Sequence, residues 1–341
     1  MLAVLEQGLI MGLMAMGVFV SFRILNMPDL TVDGSFALGG AICVSFLLAG
    51  VPAAIALLLG ALVGGGAGIV TALIHRKLKV NVLLAGILVM TMLYSVNLRI
   101  MNGPNLPIPR VVATSSLGSF EEEEGGDLLG GLFDDMDLPS GANERAKTPS
   151  SGPAKNIFHS DSGAGNLVLL SLILGATAVG LFVFLKTDLG TVMRGFGSNP
   201  DGVQAFGVSK TVLSVIGLAI ANGLVGFSGG LFSLYGGFAD VSMGQGMIVV
   251  GLAIVMMGEI VFGRKKPLLG VVAPVIGGVI YQGILALVMR YGYRIGFRAS
   301  DMKLLTALFI VVMIALSLFR KPKAKLTVKK EVEKLWSNSK G

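Results

Sequence analysis

Val51-Pro52-Ala53-Ala54-Ile55-Ala56-Leu57-Leu58-Leu59-Gly60-Ala61-Leu62-Val63-Gly64-Gly65-Gly66-Ala67-Gly68-Ile69-Val70-Thr71-Ala72-Leu73-Ile74 contains no charged side chain and closes on His75-Arg76-Lys77-Leu78-Lys79. A hydrocarbon core about 30 Å thick is crossed by about 20 helical residues, so the stretch reads as a membrane-spanning helix. Its glycines would weaken a helix in water, but in a bilayer small residues let neighbouring helices approach closely. The basic cluster is the flank that a cytoplasmic membrane face retains. Further spans are predicted near residues 4 to 22, 30 to 49, 82 to 98, 166 to 185, 211 to 235, 246 to 262, 268 to 289 and 303 to 319. The 341 residues are 53% hydrophobic and 14% charged, with 49 glycines and a mean hydropathy of +0.80. A soluble domain carries about 25% charged residues. The chain is thus an all-α, polytopic helical membrane protein of about nine transmembrane helices.

Orientation follows from lysine and arginine. His75 to Lys79, Arg264-Lys265-Lys266 and the tail from Arg320 onward are predicted to be cytoplasmic, which with nine spans puts the N-terminus outside. Arg290, Arg294, Arg298 and Lys303 run against this count, in a short loop it places outside. The first span begins beside Met1 with Glu6 and no basic flank, and is read as retained rather than as a cleaved leader. The net charge of +7 does not imply a nucleic-acid partner, because the basic residues sit at the ends of apolar runs. Cys43, alone in an apolar run, excludes an internal disulfide.

Four spans are expected over residues 1–104 and five over 166–320, followed by a basic cytoplasmic tail over 321–341. Between them, 105–165 is an acidic low-complexity loop, with Glu121 to Glu124, Asp134, Asp135 and Asp137 among glycines, serines and prolines. It cannot bury a core of its own. Two readings apply, a flexible solvated outer loop or a docking surface for an external partner.

The polar segment between the fifth and sixth spans is Thr187-Asp188-Leu189-Gly190-Thr191-Val192-Met193-Arg194-Gly195-Phe196-Gly197-Ser198-Asn199-Pro200-Asp201-Gly202-Val203-Gln204-Ala205-Phe206-Gly207-Val208, flanked by Lys186 and Lys210. Two short helices are predicted, with Ser198 or Asn199 capping the second and Pro200 at its first position. Such a compact cytoplasmic helix-turn-helix can receive force from a soluble motor, although an ordinary interhelical loop fits the same residues.

This segment resembles the cytoplasmic coupling region of ribose-type and branched-chain-amino-acid-type permeases of ATP-binding-cassette (ABC) importers. Those carry a threonine, a glycine, a basic residue, Gly-x-Asn-Pro, an alanine-rich turn and a Gly-Val or Gly-Ile. Here the matching positions are Thr187, Gly190, Arg194, Gly197, Asn199, Pro200, Ala205, Gly207 and Val208. Asn26-Met27-Pro28-Asp29-Leu30-Thr31-Val32-Asp33-Gly34-Ser35, then Leu38-Gly39-Gly40-Ala41, is also similar to the family. The likeness covers nearly the whole chain outside 105 to 165, an insert where the family usually has a short outer loop. Within the family the chain is most similar to permeases associated with aromatic amino acids and a lipoprotein-like binding protein. The resemblance implies a bacterial inner-membrane permease that moves a small solute, an amino acid, by alternating access. Its implied partners are cytoplasmic ABC ATPase subunits, an extracytoplasmic substrate-binding protein and a second copy of the permease, with no cofactor. It also implies that the small residues of 190 to 207 permit close approach of the ATPase, with Arg194 as a charged contact.

Polar residues inside spans mark a candidate translocation pathway, since a charge at mid-membrane costs a few kcal/mol or more. These are Asp29, Asp33, Asn97, Asn222 and Gln245. Plainer roles compete with that one: Asp29 or Asp33 can cap the second helix, and Asn222 can bond between helices. Glu259, five residues before Arg264, reads as an interfacial ion pair.

Gly258 to Lys265 has the glycines of a phosphate loop without its Gly-Lys-Ser/Thr, so ATP hydrolysis is expected on a separate subunit. Gly226-Phe227-Ser228-Gly229-Gly230 fits a nucleophile motif, but a nucleophile needs a base. The two histidines, His75 and His159, fall outside the spans, so Ser228 reads as a packing residue. No His, Cys or carboxylate cluster has metal-ligand spacing. The remaining alternatives to a permease are an ion-coupled secondary transporter, which keeps a titratable group at the midplane, and an intramembrane serine protease.

Overall fold

A computed structural model describes residues 2–109, 163–262 and 267–292, together with Leu304, Ala307, Leu308, Val311 and Val312. The acidic stretch 110–162, Arg264 to Lys266, Arg294, Arg298, Lys303, most of the ninth predicted span and the tail lie outside the described residues. Among the described residues, seven helices are long and apolar enough to cross a membrane. An eighth apolar helix has 16 residues.

Helix α1 (Leu2–Phe19) ends in a π-helical turn, Val20–Ile24. A non-helical strap then leads to α2 (Thr31–Leu48), with Asn26 in the left-handed region that asparagine tolerates. Helices α3 (Ala53–Lys77) and α4 (Val82–Met101) follow. After the described gap come α5 (Gly163–Lys186), α6 (Asp188–Ser198), α7 (Pro200–Ala205), α8 (Lys210–Gly236), α9 (Met247–Phe262) and α10 (Pro267–Gly292).

The centre is built from α1, α2 and α8. The buried share of the apolar window is 72% for α1 and 78% for α2, against 22% for α4 and 17% for α5, so the last two are peripheral. Close approach rather than bulky interdigitation joins the central helices. A Cβ on Gly39 would stand 1.9 Å from the carbonyl oxygen of Gly226, so α2 and α8 touch backbone to backbone.

One end of the bundle carries Arg76, Lys77, α6, α7 and the start of α8. The opposite end carries a short antiparallel ladder, β1 (Asn105–Pro107) with β2 (Phe238–Asp240), which pairs Leu106 with Ala239. The all-α expectation missed this ladder. Three residues that follow Pro104 and end on Pro107 read locally as a turn, and the partner strand lies past four further helices.

Two helices begin inside the bundle. The Thr31 and Thr71 hydroxyls meet at 2.6 Å, which sets the start of α2 about 9 Å inside the basic end of α3 at 1.5 Å per residue. The start of α9 lies beside Asp33 in the first turn of α2. Non-helical backbone at such depth is tolerated where protein buries it.

Candidate functional site

The strap before α2 carries Asp29, which is completely buried. Its Oδ1 accepts from the Thr31 amide at 2.9 Å and its Oδ2 from the Asn222 side-chain amide at 2.6 Å. Asn222 Oδ1 in turn accepts from the Ser35 hydroxyl at 2.8 Å. Asp29 thus braces the start of α2, and Asn222 makes the interhelical bond. Burying these polar groups is tolerable because each has partners.

Asp33 does something else. Of the two readings open for it, capping of α2 is not the one its oxygens show, because they accept from Gly246 N and Ile248 N, both at 2.8 Å, at the start of α9. The sequence could not show this, since the partners lie more than 200 positions away. Asp33, Asn97 and Gln245 line one cavity of about 180 Å³ with Met90, Thr91 and Tyr94. Three of the five predicted pathway residues therefore share a cavity, while Asp29 and Asn222 form a separate network. Thr91 and Tyr94 went unnoticed in the sequence. Their spacing of three with Asn97 puts all three on one helical face, and that periodicity was the available signal.

At the basic end, α6 and α7 form the predicted pair. Asn199 caps α7 by accepting from Gly202 N at 3.0 Å, and Pro200 occupies its first turn. Two of the small residues, Gly190 and Gly197, serve the chain's own packing. A Cβ on Gly197 would lie 1.9 Å from the Ile24 carbonyl oxygen, and one on Gly190 would lie 2.4 Å from the Phe184 oxygen. Both glycines seat α6 on its own chain, so their smallness is already used internally. Gly207 instead has φ +80° with open space around it, which ends α7 in a turn.

Arg194 is half-buried along α6. One guanidinium nitrogen donates to Thr191 Oγ1 at 3.0 Å, and its buried Nε has no hydrogen-bond partner among the described residues. Beneath α6, Arg76 lies 5.5 Å from the Phe196 ring centre and donates to Ser214 Oγ from Nε at 2.9 Å and Nη2 at 2.8 Å. The outward surface of α7 shows Asp201, Gln204, Ala205 and Phe206, the last 89% exposed. The ammonium of Lys210 beside Asp201 holds that carboxyl below the usual carboxylate range.

Glu259 pairs with Arg23 in the π-helical turn; its predicted partner Arg264 lies outside the described residues. Ser228 is buried and donates to the Ile10 carbonyl at 2.7 Å, so its hydroxyl ties α8 to α1 as well as packing there. His75 contacts the Val80 carbonyl at the basic end, and His159 lies outside the described residues.

The model of the family described as branched-chain amino acid transport system / permease component matches residues 1–317. This chain belongs to that family. A tyrosine transport system permease protein of Clostridioides difficile (strain R20291) is 32% identical to this permease-family chain over 314 residues, covering 92% of this chain and 90% of the relative. An uncharacterized protein of Rickettsia prowazekii (strain Madrid E) is 31% identical over 321 residues, covering 93% and 96%. No solved structure matches. As a permease-family member the chain is a multi-pass transport protein, and the resemblance of its 187 to 208 segment falls inside the matched region.

Proposed function

We propose that this chain is the membrane subunit of an ABC importer in the bacterial cytoplasmic membrane, working as two copies with cytoplasmic ATPase subunits and an extracytoplasmic binding protein. Its solute is an amino acid, with tyrosine the first to try in view of the clostridial relative's name. The basic end is cytoplasmic on the lysine and arginine bias.

The observation that carries this reading is the α6–α7 pair. It is locked inward by Gly197 on Ile24 and by Phe196 over Arg76, and it presents Ala205 and the bare ring of Phe206 outward. A rigid element with an exposed anchor is what a motor subunit can grip and move. Displacing α6 would push Ile24 and the strap carrying Asp29, and the strap would carry α2 and Asp33 with it. ATP closure on the partner would thereby reshape the cavity, which is the alternating access such a permease requires.

The test is recovery of the ATPase with affinity-tagged permease, together with ATP-driven uptake in vesicles, for Arg194→Glu, Ala205→Glu and Phe206→Glu. All three are expected to insert and stay folded while losing most ATPase recovery and uptake. Unchanged recovery and uptake in all three would sink the reading. Orientation is checked separately: after Cys43→Ser, a cysteine placed at Ser140 should react with an impermeant thiol reagent on intact cells.

A second reading, an ion-coupled carrier, draws on the fully buried Asp29. Uptake that collapses with the proton gradient while ATP is intact would favour it.

A further inference from the structure

Helix α9 starts within the bundle, and another helix occupies its start. A helix N-terminus presents unsatisfied N–H donors and partial positive charge, so it favours an anion. Here the anion is the Asp33 carboxylate, held at 2.8 Å by both Gly246 N and Ile248 N.

Asp33 also lines the cavity of about 180 Å³. That suits one small solute rather than a peptide. Asn97 of α4 also lines the cavity; it is 1% exposed, and its Oδ1 has no hydrogen-bond partner among the described residues. A buried acceptor left without a donor forfeits its hydrogen bond to water, a loss a ligand can relieve by supplying an N–H. Met90 adds apolar wall, and Tyr94 an aromatic one with a polar tip.

We propose that this cavity is a solute site for a molecule bearing both a carboxylate and an N–H donor, the chemistry of an α-amino acid. The solute carboxylate takes the place of Asp33 at the α9 N-terminus, and its ammonium donates to Asn97 Oδ1. Asp33 is therefore a resident competitor: its bond to α9 closes the site, and solute entry opens it by releasing α2 from α9. Because the displaced group is itself negative, the site rejects anions that lack a donor for Asn97. This inference rests on the importer reading for the direction of solute flow, but not for the site's chemistry.

The experiment is equilibrium binding to the purified full-length permease in lipid nanodiscs. The probes are L-tyrosine, tyramine, which lacks the carboxylate, and 3-(4-hydroxyphenyl)propanoate, which lacks the ammonium. Asp33→Ala and the near-isosteric Asp33→Asn should bind L-tyrosine roughly tenfold tighter than the unmodified protein, because the competitor is weakened or gone, while tyramine gains nothing. Asn97→Leu should weaken L-tyrosine and tyramine by roughly tenfold and leave the propanoate unchanged.

Equal or weaker L-tyrosine binding in the folded Asp33→Asn protein overturns the proposal. If L-tyrosine binds none of the proteins, the other common amino acids are tested the same way, and binding by none of them also overturns it. Failure here with intact ATPase recovery leaves the importer reading standing. The predicted affinity changes without ATPase recovery would leave the site standing and remove the importer.

Discussion

Arg76 at the end of α3 donates twice to the Ser214 hydroxyl at the start of α8 while lying against the Phe196 ring of α6. One side chain thus ties three helices together at the basic end. Hydrogen bonds from a charged group contribute about 1.5–3 kcal/mol and a partly exposed cation–π contact about 0.5–1 kcal/mol. Arg76→Ala is therefore expected to lower the apparent Tm in detergent by several degrees and to reduce uptake more than ATPase recovery. Arg76→Lys should rescue little, since a point charge cannot reproduce the fork. A wild-type Tm and uptake in Arg76→Ala would show that the tie has no mechanical role.

Gly197 and Phe206 should fail in different ways. Gly197→Leu places atoms where the Ile24 carbonyl stands and should destabilise the subunit by at least about 1–3 kcal/mol through overpacking. Phe206→Ala removes only an exposed ring and should leave Tm unchanged while lowering ATPase recovery. Thermal melts and pull-downs on both variants check the contrast, and a stable, fully coupled Gly197→Leu would contradict the packing described for α6.

The Asp201–Lys210 pair gives a pH prediction with a definite sign. The folded-state carboxyl is depressed below its unfolded value by the bond to Lys210. Its stabilising effect is therefore fully present above the unfolded carboxylate value and fades only as pH falls through the folded one. Between about pH 6 and 8 both states are ionised, so Asp201→Asn and the unmodified protein should show parallel Tm profiles there. Because the carboxylate is exposed, the offset between them should be small. A difference that widens with rising pH would contradict this.

Ser228→Ala removes the bond to the Ile10 carbonyl and should cost about 0.5–1.5 kcal/mol with uptake retained. Loss of uptake in a normally folded Ser228→Ala protein would revive a chemical role for that hydroxyl.

Local patterns were readable in advance and distant pairings were not. The Asn199 cap and Pro200 start of α7 need only residues within one turn, so composition and spacing disclosed them. The apolar runs likewise placed the described spans within a few residues, because crossing lipid is a property of each segment alone. Asp33 was legible as polar in an apolar setting, but its partners sit 213 and 215 positions on. Glu259 drew attention to the nearby Arg264, whereas Arg23 lies 236 positions back. Gly197 and Gly190 matched a motif, and only the packed backbone reveals that their missing side chains make room for Ile24 and Phe184. Hydropathy does not encode how deep a helix begins, so the internal starts of α2 and α9 were invisible.

The bond between Asp29 and Asn222 spans 193 positions, and it has a consequence for biogenesis. Ribosomes add about 5–20 residues per second, so Asp29 emerges on the order of 10–40 seconds before the asparagine that will hold it. An aspartate facing hydrocarbon is costly to insert, up to roughly 2.5–3.5 kcal/mol at a helix centre. Through that interval Asp29 has its local Thr31 partner but not Asn222, and the arrival of α8 completes the buried pairing of the folded protein.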